Sequence, residues 1–244
     1  MLFSYKLIFS YDGSDFLGME KQTSGRTVQE EMEKVLSRIA NQEIKLIYAS
    51  RTDKKVHALN QVAIIKSNKE LNIYHFLYAT NLALPKDIHI KSMELVDDNF
   101  HPRYQAKGKH YQYIINLNEY DPLLRNRMLF INKELNINLM QEASKLFIGK
   151  KDFRSFSSVP KNKESVREIY DIIIANDNNI ITIDFYGNGF LRYMIRKIVS
   201  ILIDVSLNKK SLDDINELFE KKDISAYSKI VPSIGLYLME VYYD

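Results

Sequence analysis

The chain has 244 residues, of which 45% are hydrophobic and 27% are charged, and its formal net charge is +3. This is ordinary for a globular protein with a sizeable core, and so mild a basic balance permits an RNA partner without requiring one. The absence of cysteine excludes disulfides, thiolate nucleophiles and cysteine-ligated zinc. No apolar run is long enough to cross a membrane, and no basic leader with a cleavage site opens the sequence, which therefore predicts a cytoplasmic protein.

The first half of the chain alternates between strand-like and helix-like patterns. Apolar side chains alternate along residues 3–11, which is the period of a half-buried strand. Thr27 followed by Glu30 is a capping-box pattern, and helical spacing of apolar residues extends this helix to Ala40. The patterns that follow predict strands at 44–49 and 61–66, a helix at 73–82 and a strand at 88–96.

The same order of elements returns in the second half. The patterns predict a strand at 111–117, a helix around 139–147, a hairpin of 168–175 and 180–186, helices at 190–205 and 211–221, and a strand at 236–243. Each half thus has the βαββαβ order of a ferredoxin-like unit, and the predicted fold class is α+β. We expect one half to span 1–104 and the other 105–244, with no Pro/Gly/Ser-rich linker between them.

Several well-known motifs are incomplete. Gly13 and Gly18 have the spacing of a phosphate-binding loop, but Met19 stands where lysine is required. Gly187-Asn188-Gly189 starts a dinucleotide pattern that Arg192 interrupts. The five histidines have no metal-ligand spacing. We therefore expect neither a metal nor a nucleotide cofactor.

The segment Ser50–Ala58, with the sequence S-R-T-D-K-K-V-H-A, lies between two predicted strands. Taken alone, its Arg51-Thr52-Asp53 core is more simply explained as a polar hairpin loop with a surface ion pair, because loops favour aspartate. The longer segment, however, resembles the active-site loop of the A family of tRNA pseudouridine synthases, G-R-T-D-x-G-V-H-A. Six fixed positions match, and chance would produce this in such a chain with odds on the order of 10⁻⁵.

Further segments resemble the same family, in the same order and over nearly the whole chain. They are Tyr11-Asp12-Gly13 with Phe16, Gly18 and Gln22; Thr27-Val28-Gln29; Phe100-His101 with Arg103, Lys109, Tyr111 and Tyr113; Asp152-Phe153 with Ser155-Phe156 and Val166-Arg167; Phe190-Leu191 with Met194, Arg196, Ile198 and Val199; and Pro232 with Gly235-Leu236-Tyr237-Leu238.

The chain also departs from the family pattern. Ser50 and Lys55 replace motif glycines, and Glu20 replaces a glutamine. A motif glycine often marks a backbone position with positive φ, which is costly for lysine. The other departures are Met19 for tryptophan, Pro102 for alanine and Ser200 for a helix glycine.

The resemblance implies the pseudouridine synthase fold, in which two ferredoxin-like halves form an antiparallel sheet with helices on one face and a central RNA-binding cleft. It implies an isomerase that converts uridine to pseudouridine at positions 38, 39 and 40 of the tRNA anticodon stem-loop. It further implies a homodimer whose two subunits both contact the tRNA. The isomerisation imports no group and oxidises nothing, so that no cofactor is required.

By the same resemblance, Asp53 is the catalytic nucleophile, and Arg51 is the wedge that fills the gap left by the flipped base. Aspartate is ionised at neutral pH, as a nucleophile must be. Tyr111 resembles the family's stacking tyrosine, although alternation along its strand, taken alone, favours an inward core aromatic. Arg196 lies in a very apolar helix and needs a partner. The resemblance implies that this partner is Asp53. The alternative is that Arg196 snorkels at the edge of the helix, with its charged end in water.

Five further residues are possible RNA contacts, each with a structural alternative. The two lysines beside the nucleophile are suited to bind phosphates, although such lysines are often only solvated. The histidine is better suited to a hydrogen bond within the loop than to general base catalysis. The two leucines could line a uracil pocket or pack in the core. These residues are Lys54, Lys55, His57, Leu236 and Leu238. The competing functional hypothesis is a non-catalytic RNA-binding protein of two RRM-like units, which gives no reason for the Asp53 segment.

Overall fold

The structure, a computed structural model, describes residues 2–243; Met1 and Asp244, the outer ends of the two predicted halves, lie outside the described residues. The elements are β1 (Phe3–Tyr11), α1 (Val28–Ala40), β2 (Ile47–Tyr48), β3 (His57–Ser67), α2 (Ile73–Ala83), β4 (Ile88–Val96), β5 (Gly108–Asn116), β6 (Leu129–Phe130), α3 (Ile137–Lys145), β7 (Gly149–Asp152), β8 (Val166–Asp177), β9 (Ile180–Gly187), α4 (Met194–Ser206), α5 (Leu212–Lys221) and β10 (Leu236–Tyr242). Within residues 2–243, no helix is long and apolar enough to cross a membrane.

The chain divides into two compact units. Unit 1 takes in the described residues up to Lys107 and those from Tyr237 onward, and unit 2 is Gly108–Leu236. The halves predicted from element order, 1–104 and 105–244, differ from these units mainly in the placement of β10. That strand follows the second half in sequence, but all except its first residue belongs to unit 1.

Unit 1 has the βαββαβ order, with β10 added. β1 lies between β3 and β4 and is antiparallel to both, while β2 is antiparallel to β3. β10 runs parallel to β3, so that the sheet is mixed rather than wholly antiparallel. β1 buries Tyr5, Leu7 and Phe9, which is the face predicted from their alternation. The N-terminal cap of α1 is Thr27, as predicted, with its side chain accepting from the Glu30 N–H group.

Unit 2 has the strand order β5-β9-β8-β7, with antiparallel neighbours, and β6 runs parallel to β5. The predicted β8–β9 hairpin turns through Asn178 and Asn179, both with positive φ, as a tight hairpin turn requires. α4 is buried around nearly its whole circumference. The predicted α+β class is confirmed, whereas the common helix face and the central RNA-binding cleft stay predictions.

Several predicted boundaries were wrong: β3 begins at His57 rather than at 61, and β5 begins at Gly108 rather than at 111. Two further differences have a local cause, and side chains explain the first of them. The predicted strand 44–49 is reduced to β2 because the Ile44 and Leu46 N–H groups bond side chains of α1, Ser37 Oγ and Glu33 Oε1, each at 2.9 Å. α4 begins at Met194 rather than at Phe190, because the residue before it, Tyr193, has a left-handed backbone. β6 and β7 were not predicted.

Candidate active site

The predicted catalytic residue lies in a loop of residues 49–56 between β2 and β3, here called the Asp loop. At its start, the Ser50 N–H donates to Gln61 Oε1 at 3.1 Å, and Gln61 Nε2 donates back to the Ser50 carbonyl at 2.8 Å. At its end, the Val56 N–H donates to the Asp53 carbonyl at 3.2 Å and closes a turn. Both ends of the loop are therefore fixed through its main chain.

A second segment, residues 12–19, packs against the Asp loop. The Met19 N–H donates to the Thr52 carbonyl at 3.1 Å, and the Lys55 N–H donates to the Phe16 carbonyl at 3.2 Å. The Tyr11 hydroxyl lies 2.6 Å from Thr52 Oγ1 in a buried contact. A Cβ atom on Gly13 would lie 2.1 Å from the Val56 carbonyl oxygen. This glycine is therefore required for the segment to approach the loop so closely.

His57 braces the end of the Asp loop. Its side chain is 2% exposed, its Nδ1 accepts from the Gly13 N–H at 3.0 Å and lies 3.2 Å from Asp12 Oδ1, and its ring stacks on Tyr237 with centroids 4.6 Å apart. This arrangement fits the predicted hydrogen-bonding role. His57 was predicted to lie in the loop, but it is the first residue of β3.

The side chains of the Asp loop differ in exposure. Asp53 and Lys55 are half-buried, and Lys54 is exposed. The Arg51 side chain is 61% exposed and forms an ion pair with Glu20, the residue that replaces the family's glutamine. Lys55, which replaces a motif glycine, has φ +65° and thus keeps the backbone conformation that suits glycine.

Tyr111, the residue predicted to stack on the flipped base, lies in unit 2. Tyr111 on β5 is only 8% exposed, and its ring meets Phe190 edge to face with centroids 5.4 Å apart. Its neighbour on the same face, Tyr113, donates from its hydroxyl to the Pro232 carbonyl at 2.7 Å. Burial raises the pKa of Tyr113, so that this hydroxyl stays protonated and remains a donor.

Arg196 projects from the first turn of α4 and is half-buried. Its Nε donates to the Val231 carbonyl at 2.8 Å, and its guanidinium lies over the Tyr193 ring at 5.2 Å from the centroid. Both contacts are made with groups of unit 2. The next residue, Lys197, points inward instead. Its ammonium donates to the carbonyls of Ser155, Ser157 and Ile224, and burial lowers its pKa.

The predicted residues thus fall into two groups. Unit 1 holds Arg51, Asp53, Lys54, Lys55 and His57 on or beside one loop, with Leu238 paired to Ala58 on the adjoining strand. Unit 2 holds Tyr111, Arg196 and Leu236. Leu236 and Leu238 are both buried, as core packing would require. Among residues 2–243, no three His, Asp or Glu side chains converge as metal ligands would.

Sequence reasoning assigned no site role to four residues that shape these groups: Tyr11, Glu20, Gln61 and Tyr193. Tyr11 belonged to a family motif and Gln61 to a predicted strand, and only the folded loop reveals their hydrogen bonds. Glu20 carried a signal, since it departs from the family pattern at a position that pairs with Arg51.

Comparison with known proteins identifies the class. Residues 7–105 and 143–244 match the model of the tRNA pseudouridine synthase family, which is a class of RNA-modifying isomerases. A tRNA pseudouridine synthase A of Acetivibrio thermocellus is 40% identical over 240 residues, covering 98% of both chains. A tRNA pseudouridine synthase A 2 of Bacillus cereus is 39% identical over 241 residues, again covering 98% of each. The chain belongs to the A family of tRNA pseudouridine synthases, which isomerise uridine in tRNA.

A solved chain of an archaeal box H/ACA ribonucleoprotein also matches, at 14% identity and a TM-score of 0.35, covering 82% of this chain and 44% of that one. So distant a likeness adds nothing to the assignment.

Proposed function

We propose that this enzyme forms pseudouridine at positions 38, 39 and 40 of the tRNA anticodon stem-loop, with Asp53 as its nucleophile. The observation that carries the proposal is the bracing of the Asp loop. The side-chain amide of Gln61 and the main chains of Phe16 and Met19 hold its backbone through hydrogen bonds, while the Asp53 side chain is left half-exposed. Because the backbone that carries this carboxylate is already ordered, little conformational entropy has to be lost when the carboxylate meets a reacting atom.

The chemistry needs little beyond that carboxylate. In the net reaction the N1–C1′ bond of uridine breaks, a C5–C1′ bond forms, and the proton leaving C5 is balanced by one gained at N1. Nothing is oxidised and no group is imported. Asp53 acts as a covalent catalyst, which divides a difficult substitution into two easier steps.

A stem base must leave the helix to reach Asp53, which costs a few kcal/mol of unstacking. Arg51 is suited to fill the gap, because its guanidinium is planar, largely exposed and only two residues from Asp53. Its ion pair with Glu20 joins two exposed side chains, and such pairs contribute about 0–1 kcal/mol. Bound RNA can therefore replace Glu20 as the partner of the Arg51 guanidinium with little loss of free energy.

The remaining predicted residues receive supporting roles in this proposal. Tyr111 stacks on the flipped uracil, and Arg196 contributes to substrate binding. His57 supports the loop, as its hydrogen bond to Gly13 indicates. Possible direct RNA contacts are Lys54, Lys55, Leu236 and Leu238, of which Lys54 is exposed, Lys55 is half-buried and the two leucines are buried.

We further propose that the enzyme works as a homodimer in the cytoplasm, with α2 in the subunit interface. α2 exposes a stripe at helical spacing, Tyr74, Tyr78 and Leu82, which are 74%, 61% and 71% exposed. The helix contains no Asp, Glu, Lys or Arg. An RNA-binding face needs cations, whereas a neutral apolar stripe can pack against a second copy of itself without repulsion. We call Tyr74, Tyr78 and Leu82 the α2 stripe.

The first experiment tests Asp53. Asp53→Asn keeps the shape of the side chain but removes its charge, so we expect pseudouridine formation in unmodified tRNA below about 1% of wild type. Binding of tRNA should stay within a few-fold, because phosphate contacts supply most of the affinity. Pseudouridine is mapped in transcripts that carry a single uridine at position 38, 39 or 40.

Asp15→Asn is the matched control, since it makes the same change on an exposed residue of unit 1 and should leave turnover intact. Residual turnover above about 1% in Asp53→Asn would assign the nucleophile to another residue. Product at other tRNA positions would overturn the anticodon assignment. Binding of tRNA by the wild type without any product would support the non-catalytic alternative.

A further inference from the structure

The backbone is strained where α4 begins. Tyr193, the residue before the helix, has φ +66° and ψ −1°, in the left-handed region that side chains other than Gly, Asn and Asp adopt at a cost. A helix cap is usually extended and offers a side-chain oxygen to the first turn. Tyr193 makes no such bond, and only its carbonyl serves the helix, accepting from the Lys197 N–H at 2.9 Å. Strain of this kind is concentrated at functional sites.

The strained residue carries its ring to two arginines. The Arg192 guanidinium lies 4.7 Å from the ring centroid, and its Nη2 donates to the Tyr193 hydroxyl at 3.0 Å. The Arg196 guanidinium lies over the same ring at 5.2 Å. Cations over a tyrosine face are attracted by the ring quadrupole. The ring therefore attracts the Arg196 guanidinium and helps to fix its position.

Arg196 is restrained at a second point, by the bond from its Nε to the Val231 carbonyl at 2.8 Å. A guanidinium is a rigid plane whose donors point in fixed directions. One hydrogen bond fixes where Nε lies, and the ring under the plane limits rotation about that bond. Together they determine the direction in which the Nη atoms face.

We propose that Tyr193 is a positioning residue for Arg196, and that its left-handed backbone is kept because it places the ring under the guanidinium. The φ angle of a cap residue sets the direction of its Cα–Cβ bond relative to the helix that follows, so an extended cap would send the ring elsewhere. The inference rests on the proposed role of Arg196 in substrate binding and adds a residue that serves that role.

Three variants separate a positioning role of Tyr193 from a structural one. Tyr193→Asn relieves the backbone, since asparagine tolerates the left-handed region and offers a capping oxygen, but it removes the ring. We expect kcat on tRNA to fall about tenfold to a hundredfold, as misplacement of a catalytic group does, with KM within about threefold and the melting temperature within a few degrees of wild type. Tyr193→Gly makes the same test with a different side chain. Tyr193→Phe keeps the ring and should retain most of the turnover.

A double-mutant cycle tests whether the effect runs through Arg196. Lysine lacks the planar fork that the ring orients, so in an Arg196→Lys background we expect Tyr193→Asn to change kcat less than about twofold. Lys222→Gly is the backbone control, because Lys222 is also left-handed (φ +46°) but caps the far end of α5, and its replacement should leave kcat unchanged.

Three results would overturn the inference: wild-type kcat in both Tyr193→Asn and Tyr193→Gly, equal losses in the Phe and Asn variants, or losses that add in full with Arg196→Lys. Wild-type enzyme is assayed in parallel on the same tRNA. Inactive wild type would count against the proposed function, whereas active wild type with active Tyr193→Asn would count against the role of Tyr193 alone.

Discussion

At the scale of single residues, the two replaced motif glycines of the Asp loop behave differently. Lys55 keeps positive φ, whereas Ser50 is absent from the positive-φ residues of the described chain. Ser50 is fixed by both hydrogen bonds from Gln61, which any residue's main chain could make. A side chain at position 50 thus brings no backbone strain, while one at position 55 does.

Lys55→Gly should therefore stabilise the fold. A left-handed lysine costs about 1–2 kcal/mol, and the greater freedom of glycine in the unfolded chain offsets part of that gain. We expect the free energy of unfolding to rise by roughly 0.5–1 kcal/mol, measured by urea denaturation.

The neighbouring Lys54→Gly is the control, because Lys54 lacks positive φ and should lose stability on the same change. Equal effects at the two positions would show that the strain at Lys55 is negligible. If both lysines contact phosphate, each variant should also lower the slope of log K against log salt for tRNA binding by roughly 0.7–0.9.

Residue positions within a motif were predictable, whereas their partners in space were not. The sequence places Arg51 and Asp53 on one loop because they are neighbours in the chain. It could not predict that Gln61 clamps that loop or that Tyr193 lies under Arg196, since both contacts depend on the folded backbone.

At the scale of elements, β1 and β4 have the bounds that their patterns predict, and local hydrogen bonds decide where prediction failed. β1 pairs on both sides, so that its apolar alternation reports its structure directly. Residues 44–46 alternate in the same way, but the N–H groups of Ile44 and Leu46 bond α1 side chains instead of a neighbouring strand. The hydropathy pattern cannot show whether a backbone N–H group bonds a neighbouring strand or a side chain.

The contact between the end of β1 and the Asp loop gives a prediction at this scale. Gly13→Ala would put a Cβ 2.1 Å from the Val56 carbonyl oxygen, and that backbone cannot move without moving the loop. We expect a loss of about 2 kcal/mol or more in the free energy of unfolding, and a fall in kcat beyond what the folded fraction explains, measured by denaturation and single-turnover assays.

Gly189→Ala is the matched control, because a Cβ there meets nothing within 4 Å. It should change stability by less than about 0.5 kcal/mol. If Gly13→Ala were as mild as this control, the Asp loop would not depend on the segment beneath it.

At the scale of the whole molecule, the α2 stripe leads to a prediction about assembly. Tyr78→Lys puts a charge opposite its own copy in a symmetric interface, so we expect the dimer dissociation constant to rise roughly tenfold or more, measured by analytical ultracentrifugation. Tyr120→Lys is the control, because Tyr120 is exposed to a similar degree, 59%, but lies outside α2.

The same lysine distinguishes the two possible partners of the stripe. If α2 packed on RNA, Tyr78→Lys would tighten tRNA binding at low salt and leave the oligomeric state unchanged. Dissociation without tighter binding supports a second copy. Wild type that sediments as a monomer at all concentrations would contradict the proposed homodimer.

The return of β10 to unit 1 has a consequence for how the enzyme matures on the ribosome. Unit 2 is one continuous stretch of chain and can begin to fold as soon as Leu236 has emerged. The pairing of β10 beside His57, together with the bonds from Asn60 to Met239 and Glu240, can form only after unit 2 has been synthesised. Contacts spanning about 180 residues form slowly, because a long loop must close first. The loop that carries Asp53 is translated before unit 2, whereas β10, which lies beside it, is translated after unit 2. A nascent chain should therefore gain structure well before it gains activity.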